Sequence, residues 1–215
     1  MLSRLKRRLV EFNKAVTTRR AVDRYLSAHR LTGLTLNVGG RRDGIYRDCW
    51  EDAVVVDIAG DTPIDVRGDA HMLPLREGAV DSVLCTEVLE HLVQPARGAD
   101  EMRRVLKPGG RLLLTTRFLF PIHDRPGDFF RFTKFGLQHL FRRWDVEEIV
   151  ETDTSLETID ILLNRLWTER KLGGLFRVAV FSLSLFLIPL ARLLSLFFRT
   201  DAVTTGYIVS AKKPT

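Results

Sequence analysis

The sequence predicts an α/β domain built on a doubly wound sheet of parallel strands. Short apolar, β-branched runs alternate along the chain with segments of helical periodicity. At 215 residues the chain is long enough for one domain with additions and short for two. Because α/β sheets bind ligands at the carboxyl ends of their strands, we expect the functional residues to follow the strands directly.

The first 30 residues carry most of the positive charge. The formal net charge is +6, and residues 1–30 hold nine Lys and Arg against Glu11 and Asp23. Apolar side chains recur there at helical spacing: Leu2, Leu5, Leu9, Phe12 and Val16. Residues 1–30 are therefore predicted to form a basic amphipathic helical region. Such a region suits an anionic surface, lipid or nucleic acid, although a solvated helix face explains the pattern equally well.

The strands are predicted from their buried, β-branched composition. They are Leu34–Val38, Ala53–Ile58, a weaker strand near Asp65–Asp69, Val80–Cys85, Arg111–Thr116, Val146–Glu151 and Gly206–Ala211. A helix is predicted over Thr86–Val105, ending at a turn formed by Lys107–Gly110.

The loop after the first strand has features of a nucleotide-cofactor site. Asn37 is the second-last residue of the strand, and Gly39 and Gly40 follow the strand directly, where a missing side chain lets the backbone approach a ligand. Asp57 ends the second strand, where a carboxylate can accept hydrogen bonds from both ribose hydroxyls. The G-x-G-x-x-G fingerprint of nicotinamide enzymes is absent, which disfavours a dehydrogenase.

Three further segments sharpen this interpretation. Gly68–Leu75, Asp81–His91 and Arg104–Gly110 follow in order, the last two containing the letters EVLEH and LKPGG. Together with the first loop, this order resembles the class I S-adenosylmethionine-dependent methyltransferases, especially the small bacterial, methyltransferase type 11-like kind. The resemblance covers residues 34–150 and the last strand. It implies a Rossmann-like, seven-stranded sheet whose last strand is antiparallel, in a methyltransferase domain over residues 31–215 with S-adenosylmethionine as cofactor.

The resemblance also implies roles for individual cofactor-binding residues. Asn37, Gly39 and Gly40 would line the methionine end, Asp57 would hold the ribose, Asp69 and Ala70 would meet the adenine, and Thr86 and Glu87 would lie beneath the cofactor. There are two departures from the family pattern. The family usually has an acidic residue where Asn37 stands, and a third loop glycine where residues 41–43 lie. Asn37 can still accept one hydrogen bond from the cofactor's ammonium group, but it adds no charge.

The loop at residues 118–133 is predicted to receive the methyl acceptor. It mixes aromatic side chains with His, Asp and Arg, and similar H-x-x-P-x-D-x-x-R-x-T loops occur in methyltransferases of bacterial glycan and lipid biosynthesis. His123 is the predicted general base, and Asp128 would orient it or act alone. Alternatively, Asp128 and Arg131 form a structural pair and His123 faces water. His91 would either pack a helix or line the pocket.

Residues 155–200 are predicted to be an apolar helical insertion. Leu175–Phe198 comprises 24 residues, or about 36 Å of helix, enough to cross a bilayer. The strands on either side belong to one sheet, so both ends must stay on one side of the membrane. Pro189 is expected to break the run. A re-entrant hairpin or an in-plane helix pair therefore fits better than a single span, and a helical lid or dimer contact is the alternative.

Together these features predict a methyltransferase on the inner, cytoplasmic face of the cell membrane, peripheral or monotopic. Its acceptor would be a small molecule or a lipid-linked, amphiphilic compound such as a glycolipid, a lipid-carrier saccharide or a quinone precursor. Alternatives are a catalytically inactive, cofactor-binding membrane module and a soluble nucleic-acid methyltransferase. No nucleic-acid partner is expected, because no Asn-Pro-Pro-Tyr-like element is present. No metal site is expected, since Cys49 and Cys85 fit no ligand spacing.

Overall fold

The computed structural model describes residues 20–42, 44, 46–50, 52–60, 63–168, 173–195, 197–198, 200 and 202–215. Most of the basic amphipathic region predicted for residues 1–30 lies outside these described residues. Its last part forms the helix α1, Arg20–Ala28. The division into an N-terminal region and a domain from residue 31 stays a prediction.

Strands and helices alternate as the sequence predicts. In chain order the described elements are α1 (Arg20–Ala28), β1 (Leu34–Val38), a 3₁₀ helix (Arg47–Cys49), β2 (Asp52–Asp57), β3 (Val66–Arg67), β4 (Val80–Thr86), a 3₁₀ helix (Leu89–His91), α2 (Pro95–Val105), β5 (Leu106–Arg117), α3 (Lys134–Leu140), β6 (Asp145–Glu151), α4 (Ser155–Thr168), α5 (Gly174–Ser195) and β7 (Gly206–Lys212).

All seven strands form one sheet in the order β3-β2-β1-β4-β5-β7-β6. The strands β1 to β5 pair in parallel, and β7 runs antiparallel to β5. The predicted fold, a Rossmann-like sheet with an antiparallel last strand, is confirmed. Val38, the last residue of β1, is in register with Val56 of β2 and Cys85 of β4. The carboxyl ends of these three strands therefore meet at one edge of the sheet.

The central strands are apolar without interruption because both of their faces are covered. Fully buried or nearly so in β4 and β5 are Val83, Leu84, Cys85, Leu112, Leu113 and Leu114. The helix α2 adds Ala99, Met102 and Val105, which share one helix face at i, i+3 and i+6. These side chains form the core that holds the strand ends in place.

The expected turn at Lys107–Gly110 lies inside a strand. β5 already pairs at Leu106, opposite Val80, and the ladder resumes at Arg111 after a shift of register. The intervening residues therefore form a bulge, with Gly109 in the left-handed region at φ 73°. The Pro-Gly-Gly composition that suggested a turn is equally suited to a bulge. Proline has no N–H to donate to the neighbouring strand, and glycine weakens the interior of a strand.

The predicted helix over Thr86–Val105 is wrong in its first half. β4 continues through Thr86, and Glu87 then takes a left-handed conformation at φ 59°. A short 3₁₀ helix follows, and α2 begins only at Pro95. Proline has no N–H to donate within a helix, so it is favoured in the first turn and disfavoured further in. Apolar residues recur at helical spacing on the N-terminal side of Pro95 as well, and for this reason the start of the helix was predicted too early, at Thr86.

The chain divides into two compact units. One contains Arg24–Phe118, Ile122–Val150 and Gly206–Thr215, and therefore the sheet. The other contains Leu119–Pro121 and Glu151–Thr205, with the first part of α1. In this second unit Thr154 caps α4, its N–H donating to the Glu157 carboxylate at 2.9 Å.

Helix α5 runs without a break through Pro189, so the expected interruption there is wrong. A proline inside a helix removes one backbone hydrogen bond and kinks the helix without always ending it. The apolar run is consequently one helix of 22 residues, neither a hairpin nor a pair of helices. It packs against α4 within the second unit.

Candidate active site

A cavity of about 460 Å³ opens at the carboxyl ends of β1, β2 and β4. This volume lies within the range of small-molecule and cofactor sites. Five of the predicted cofactor residues line it: Gly39, Asp57, Asp69, Ala70 and Glu87. The wall does not include Asn37, Gly40 or Thr86, as far as the described residues show.

Gly39 lets the chain leave β1 close to the segment after β4. Its φ is 69°, in the left-handed region. A Cβ added there would lie 2.2 Å from Cγ2 of Val88, which also lines the cavity. Its N–H donates to the carbonyl oxygen of Val56 at 2.8 Å, which fixes the turn against β2. Glycine is thus required twice, by conformation and by space.

Asn37 lies buried behind this turn. Its Oδ1 has no hydrogen-bond partner among the described residues. A Cβ at Gly40 would lie 2.0 Å from Asn37 Nδ2, so the second glycine makes room for the amide. A buried acceptor left unsatisfied costs free energy, and a ligand that donates a hydrogen bond would remove that cost.

Two carboxylates stand on the β2 and β3 side of the cavity. Asp57 Oδ1 accepts from the N–H of Ala59 at 2.7 Å. Asp69 accepts from the backbone N–H of His71 at 2.8 Å and from His71 Nδ1 at 2.7 Å. The backbone hydrogen bond, followed by the imidazole, holds the pKa of Asp69 below its usual value. Since Gln94 N–H donates to Nε2 of His71 at 3.2 Å, the neutral ring carries its proton on Nδ1.

Glu87 is held rigidly at the end of β4. Its Oε1 accepts from the hydroxyl of Thr115 at 2.9 Å. Its Oε2 forms an ion pair with Arg117. Positive φ at a residue other than glycine is unfavourable and persists where the surroundings enforce it. Both carboxylate oxygens are therefore committed to β5 before any ligand binds.

Glu90 is the most buried carboxyl group near the cavity. Its side chain is completely shielded from solvent. Its Oε2 accepts from the Thr116 hydroxyl at 2.8 Å, whereas Oε1 has no hydrogen-bond partner among the described residues. Burial, aided by the negative charge of Glu87, raises the pKa of Glu90 to about 7.

Backbone hydrogen bonds hold the predicted acceptor loop in place. The N–H groups of Phe129 and Phe130 donate to the carbonyl oxygen of Glu90 at 3.0 and 3.1 Å. Phe132 N–H donates to the carbonyl oxygen of Arg117 at 3.1 Å. Both Phe129 and Phe130 expose their rings. The loop therefore presents aromatic surface without depending on it for its own position.

Two histidines meet beside the cavity. The rings of His91 and His123 are 4.8 Å apart and nearly perpendicular. His91 Nδ1 donates to the carbonyl oxygen of Gly127 at 2.6 Å, since a carbonyl can only accept. The Nε2 atoms of both rings lie 3.9 Å from Oδ2 of Asp124. His91 and Asp124 line the cavity, which favours the pocket role for His91 over helix packing.

Asp128 contacts both residues with which the sequence analysis paired it, Arg131 and His123. Its carboxylate pairs with the Arg131 guanidinium at 2.5 and 2.6 Å. It also accepts from the backbone N–H of His123 at 2.9 Å, and Oδ2 lies 3.4 Å from His123 Nδ1. Chiefly because of Arg131, the pKa of Asp128 falls to about 2. A carboxylate of that pKa is a poor base, so the geometry favours an orienting role over acting alone.

Sequence reasoning assigned no role to Glu90, Arg117 or Asp124. Glu90 lies in the segment EVLEH, and Arg117 is the last residue of β5. Nothing in their spacing along the chain indicates which residues the fold brings next to them. Asp124 follows His123 directly, and the His-Asp pair was the one available signal.

The strand order, the cavity at the strand ends and its carboxylates define a Rossmann-like domain with a site suited to a nucleotide-type cofactor. Residues 47–114 match the family of methyltransferase domains. Over this segment, which includes Asp57, Asp69 and Glu87, the chain is similar to methyltransferase domains.

Relatives of known sequence agree with this family. Over 116 residues, 46% of this chain, it is 33% identical to a protein of Mycolicibacterium smegmatis described as a "Probable S-adenosylmethionine-dependent methyltransferase". Over 58 residues, 26% of this chain, it is 41% identical to a demethylmenaquinone methyltransferase of Clavibacter sepedonicus. The matches span 45% and 24% of these two relatives, so the chain aligns with less than half of each.

Solved structures share the fold at low identity. The geranyl diphosphate C-methyltransferase of Streptomyces coelicolor, determined with S-adenosylhomocysteine, superposes with a TM-score of 0.58 at 14% identity. That match covers 90% of this chain and 77% of the other. The 1,6-didemethyltoxoflavin-N1-methyltransferase of Burkholderia thailandensis gives 0.54 at 15% identity, covering 91% and 78%.

Proposed function

We propose that this protein transfers a methyl group from S-adenosylmethionine to a hydroxyl group of a membrane-associated, amphiphilic acceptor. The observation that carries the proposal is the cavity at the ends of β1, β2 and β4, with Gly39, Asp57 and Asp69 in its wall. The family match over residues 47–114 supports the same activity.

The residues present suit the cofactor's functional groups. Asp57 offers a carboxylate to the ribose hydroxyls, and Asp69 with Ala70 offers a polar edge and an apolar face to the adenine. Asn37 Oδ1, buried and without a partner among the described residues, can accept from the ammonium group of the methionine end. Gly39 leaves the space that a backbone in contact with the cofactor needs.

The chemistry asks mainly for alignment. The bound cofactor supplies a methyl group whose bond to sulfur breaks, the electron pair staying on sulfur, as the acceptor oxygen forms the new bond. Holding both partners in line gives most of the rate enhancement. His123 is the residue through which the acceptor hydroxyl loses its proton, and Asp128 orients the ring from 3.4 Å.

Helix α5 supports the association with a membrane. By length and composition it could cross a bilayer, and only 6% of its most apolar 18-residue stretch is buried. Leu175 is 87% exposed and Phe186 is 68% exposed. An apolar surface of this size is a liability in water unless a lipid or protein surface covers it. Because β6 and β7 belong to one sheet, both ends of the insertion lie on one side, which favours insertion in the plane of the membrane.

Calorimetry with S-adenosylhomocysteine tests the cofactor site. Asp57→Ala should weaken binding by about 1.5–3 kcal/mol, roughly 10- to 150-fold, because the ribose hydroxyls lose a charged acceptor. Asp52→Ala is the matched control, since Asp52 is exposed at the opposite end of the same strand. Equal affinity in wild type and Asp57→Ala would refute the placement of the cofactor.

Flotation with vesicles of phosphatidylcholine and phosphatidylglycerol tests the membrane association. Replacing Leu175, Phe176 and Phe186 together with Ser should lower the fraction bound by at least about tenfold, because each large apolar side chain contributes a kcal/mol or more when buried. The control is Phe135→Ser, which removes an equally exposed ring from α3. A full-length protein that stays monomeric in solution and never floats would contradict the proposal.

The acceptor itself can be found by mass spectrometry of membrane lipids and glycans from cells with and without the protein. The expected difference is one methylene group on an amphiphilic compound. A methylated nucleic acid with unchanged lipids and glycans would favour the nucleic-acid alternative instead.

A further inference from the structure

Three side chains that are far apart in sequence converge at the edge of the cavity. One ligand-type atom each of Glu90, His91 and His123 lies within 4.8 Å of the other two. The 3₁₀ helix after β4 supplies Glu90 and His91, and the acceptor loop supplies His123. Backbone hydrogen bonds from Phe129 and Phe130 to the Glu90 carbonyl keep these two segments together.

Both imidazoles are oriented through their Nδ1 atoms. His91 Nδ1 donates to the Gly127 carbonyl at 2.6 Å, and His123 Nδ1 lies 3.4 Å from the Asp128 carboxylate. The Nε2 atoms of both rings are turned towards one further carboxylate, Asp124 Oδ2, at 3.9 Å. Imidazoles that bind metal through one nitrogen usually donate the other N–H to a carbonyl or carboxylate in this way.

Glu90 contributes an independent observation. Its side chain is completely buried, yet Oε1 has no hydrogen-bond partner among the described residues. An unsatisfied carboxylate oxygen in an apolar environment is costly. No Lys or Arg nitrogen lies within 4.0 Å of the Glu90 carboxylate in the described part of the chain, and Arg131, which acts on Glu90 from a greater distance, pairs with Asp128. A bound cation would supply the missing partner.

We propose that Glu90, His91 and His123 bind a divalent transition-metal ion, with Asp124 beside the two histidines as a further ligand. Two imidazoles and a carboxylate select zinc, cobalt, iron or manganese rather than magnesium or calcium, which prefer oxygen ligands alone. Ligand atoms about 2.0–2.2 Å from zinc are roughly 3–4 Å apart, so separations of up to 4.8 Å in the cluster need to contract by up to about 1–2 Å.

The ion would act on the acceptor. Because His91 lines the cofactor cavity, a metal at the cluster lies at the border between cofactor and acceptor loop. A bound ion would lower the pKa of a coordinated acceptor hydroxyl, whose proton would then pass to water as the oxygen attacks the methyl group. His123 would hold the ion in the metal-bound protein and would take the proton itself only in the metal-free protein. This catalytic role rests on the proposed function, whereas metal binding itself does not.

Cobalt titration of the metal-free, tag-free protein tests the site. Co²⁺ bound to imidazole and carboxylate gives visible absorption, and Zn²⁺ should abolish that absorption by displacing it. We expect saturation at one ion per chain. His91→Ala, His123→Ala and Glu90→Gln should each weaken binding by more than the roughly 10- to 100-fold that loss of an outer-shell partner costs. His139→Ala, which removes an exposed imidazole from α3, should bind like wild type.

Affinity for S-adenosylhomocysteine, measured on the same variants, separates the possible failures. Variants that keep this affinity are folded, so their metal data are interpretable. Glu90→Gln preserves the shape of the buried side chain and serves where the alanine variants lose the fold. Absence of Co²⁺ and Zn²⁺ binding in wild type, or unchanged binding in all three variants, overturns the metal site. A wild-type protein that does not bind S-adenosylhomocysteine would overturn the proposed function and leave the metal result standing.

Discussion

The buried Arg117 and the half-buried Glu87 form an ion pair that joins the end of β4 to the end of β5. The Arg117 side chain is 9% exposed, and the Glu87 carboxylate also accepts from Thr115. Glu87 additionally adopts a left-handed backbone conformation. This pair sets the position of the cavity wall beneath the proposed cofactor site, and removing Arg117 would take away the cation that faces the Glu87 carboxylate.

Arg117→Met should therefore be strongly destabilising. Breaking a buried pair by removing one partner costs about 3–5 kcal/mol, because an uncompensated charge stays in the interior. The double variant Glu87→Gln/Arg117→Met should recover part of the loss. Urea unfolding of both variants measures the free energies. A double variant no more stable than Arg117→Met would show that the pairing of charges is not the cause.

Gly39→Ala should impair both folding and cofactor binding. Its φ of 69° is unfavourable for alanine, and the new Cβ would lie 2.2 Å from Val88. Left-handed backbone costs about 1–2 kcal/mol and overpacking about 1–3 kcal/mol more. Gly78→Ala is the matched control, since Gly78 has φ 60° but nothing within 4 Å of the added Cβ. We expect S-adenosylhomocysteine affinity to fall only in Gly39→Ala, and equal loss in both variants would contradict the steric argument.

His123→Ala should reduce turnover by roughly 10²–10⁴-fold, the usual contribution of a group that handles the reacting proton. The affinity for S-adenosylhomocysteine should stay nearly unchanged, because His123 is not among the residues that line the cofactor cavity. Asp128→Asn should give a smaller loss, since it orients the ring. Steady-state kinetics and calorimetry on the same samples separate the two effects. Unchanged turnover in His123→Ala would refute the role, and joint loss of turnover and affinity would mark His123 as structural.

Acid should weaken the fold through Glu101. Its carboxylate accepts from Arg104 and from the N–H of Leu73, and the Arg104 hydrogen bonds hold the pKa of Glu101 below its usual value. A depressed folded-state pKa contributes stability above the unfolded-state pKa of about 4.3, and this stability disappears as the pH falls through the folded value.

The expected result is a pH-dependent difference between wild type and Glu101→Gln. Urea unfolding should show wild type more stable at about pH 7 and the two proteins converging towards about pH 3. Glu77→Gln, at an exposed position, should differ little from wild type at either pH. A gap between wild type and Glu101→Gln that persists at low pH would locate its origin in packing rather than charge.

The strands were the most predictable part of the fold. β1 has the predicted bounds, because strands buried on both faces are recognisable from uninterrupted apolar composition. Elements whose limits depend on distant partners were less predictable. The start of β5 depends on pairing between Val80 and Leu106, and the left-handed turn at Glu87 accompanies its ion pair with Arg117. Local periodicity contains neither relationship.

In the candidate site, too, some residues could be predicted from the local sequence and others could not. Asp57 ends β2 and His123 lies in the loop after β5, so position in the chain was enough to single them out, whereas the role of Asp69 came from the family resemblance. Glu90 and Asp124 gain their meaning only from the fold, which brings each of them to the paired rings of His91 and His123.

The backbone anchoring of the acceptor loop has a consequence for divergence among related chains. The N–H groups of Phe129 and Phe130, rather than their rings, hold the loop against Glu90. Every residue except proline carries such a group. These two positions can therefore change side chain while the path of the loop stays the same. Under the proposed function, acceptor preference can drift, or be redesigned, by substitutions at the two phenylalanines that leave the residues proposed for methyl transfer unchanged.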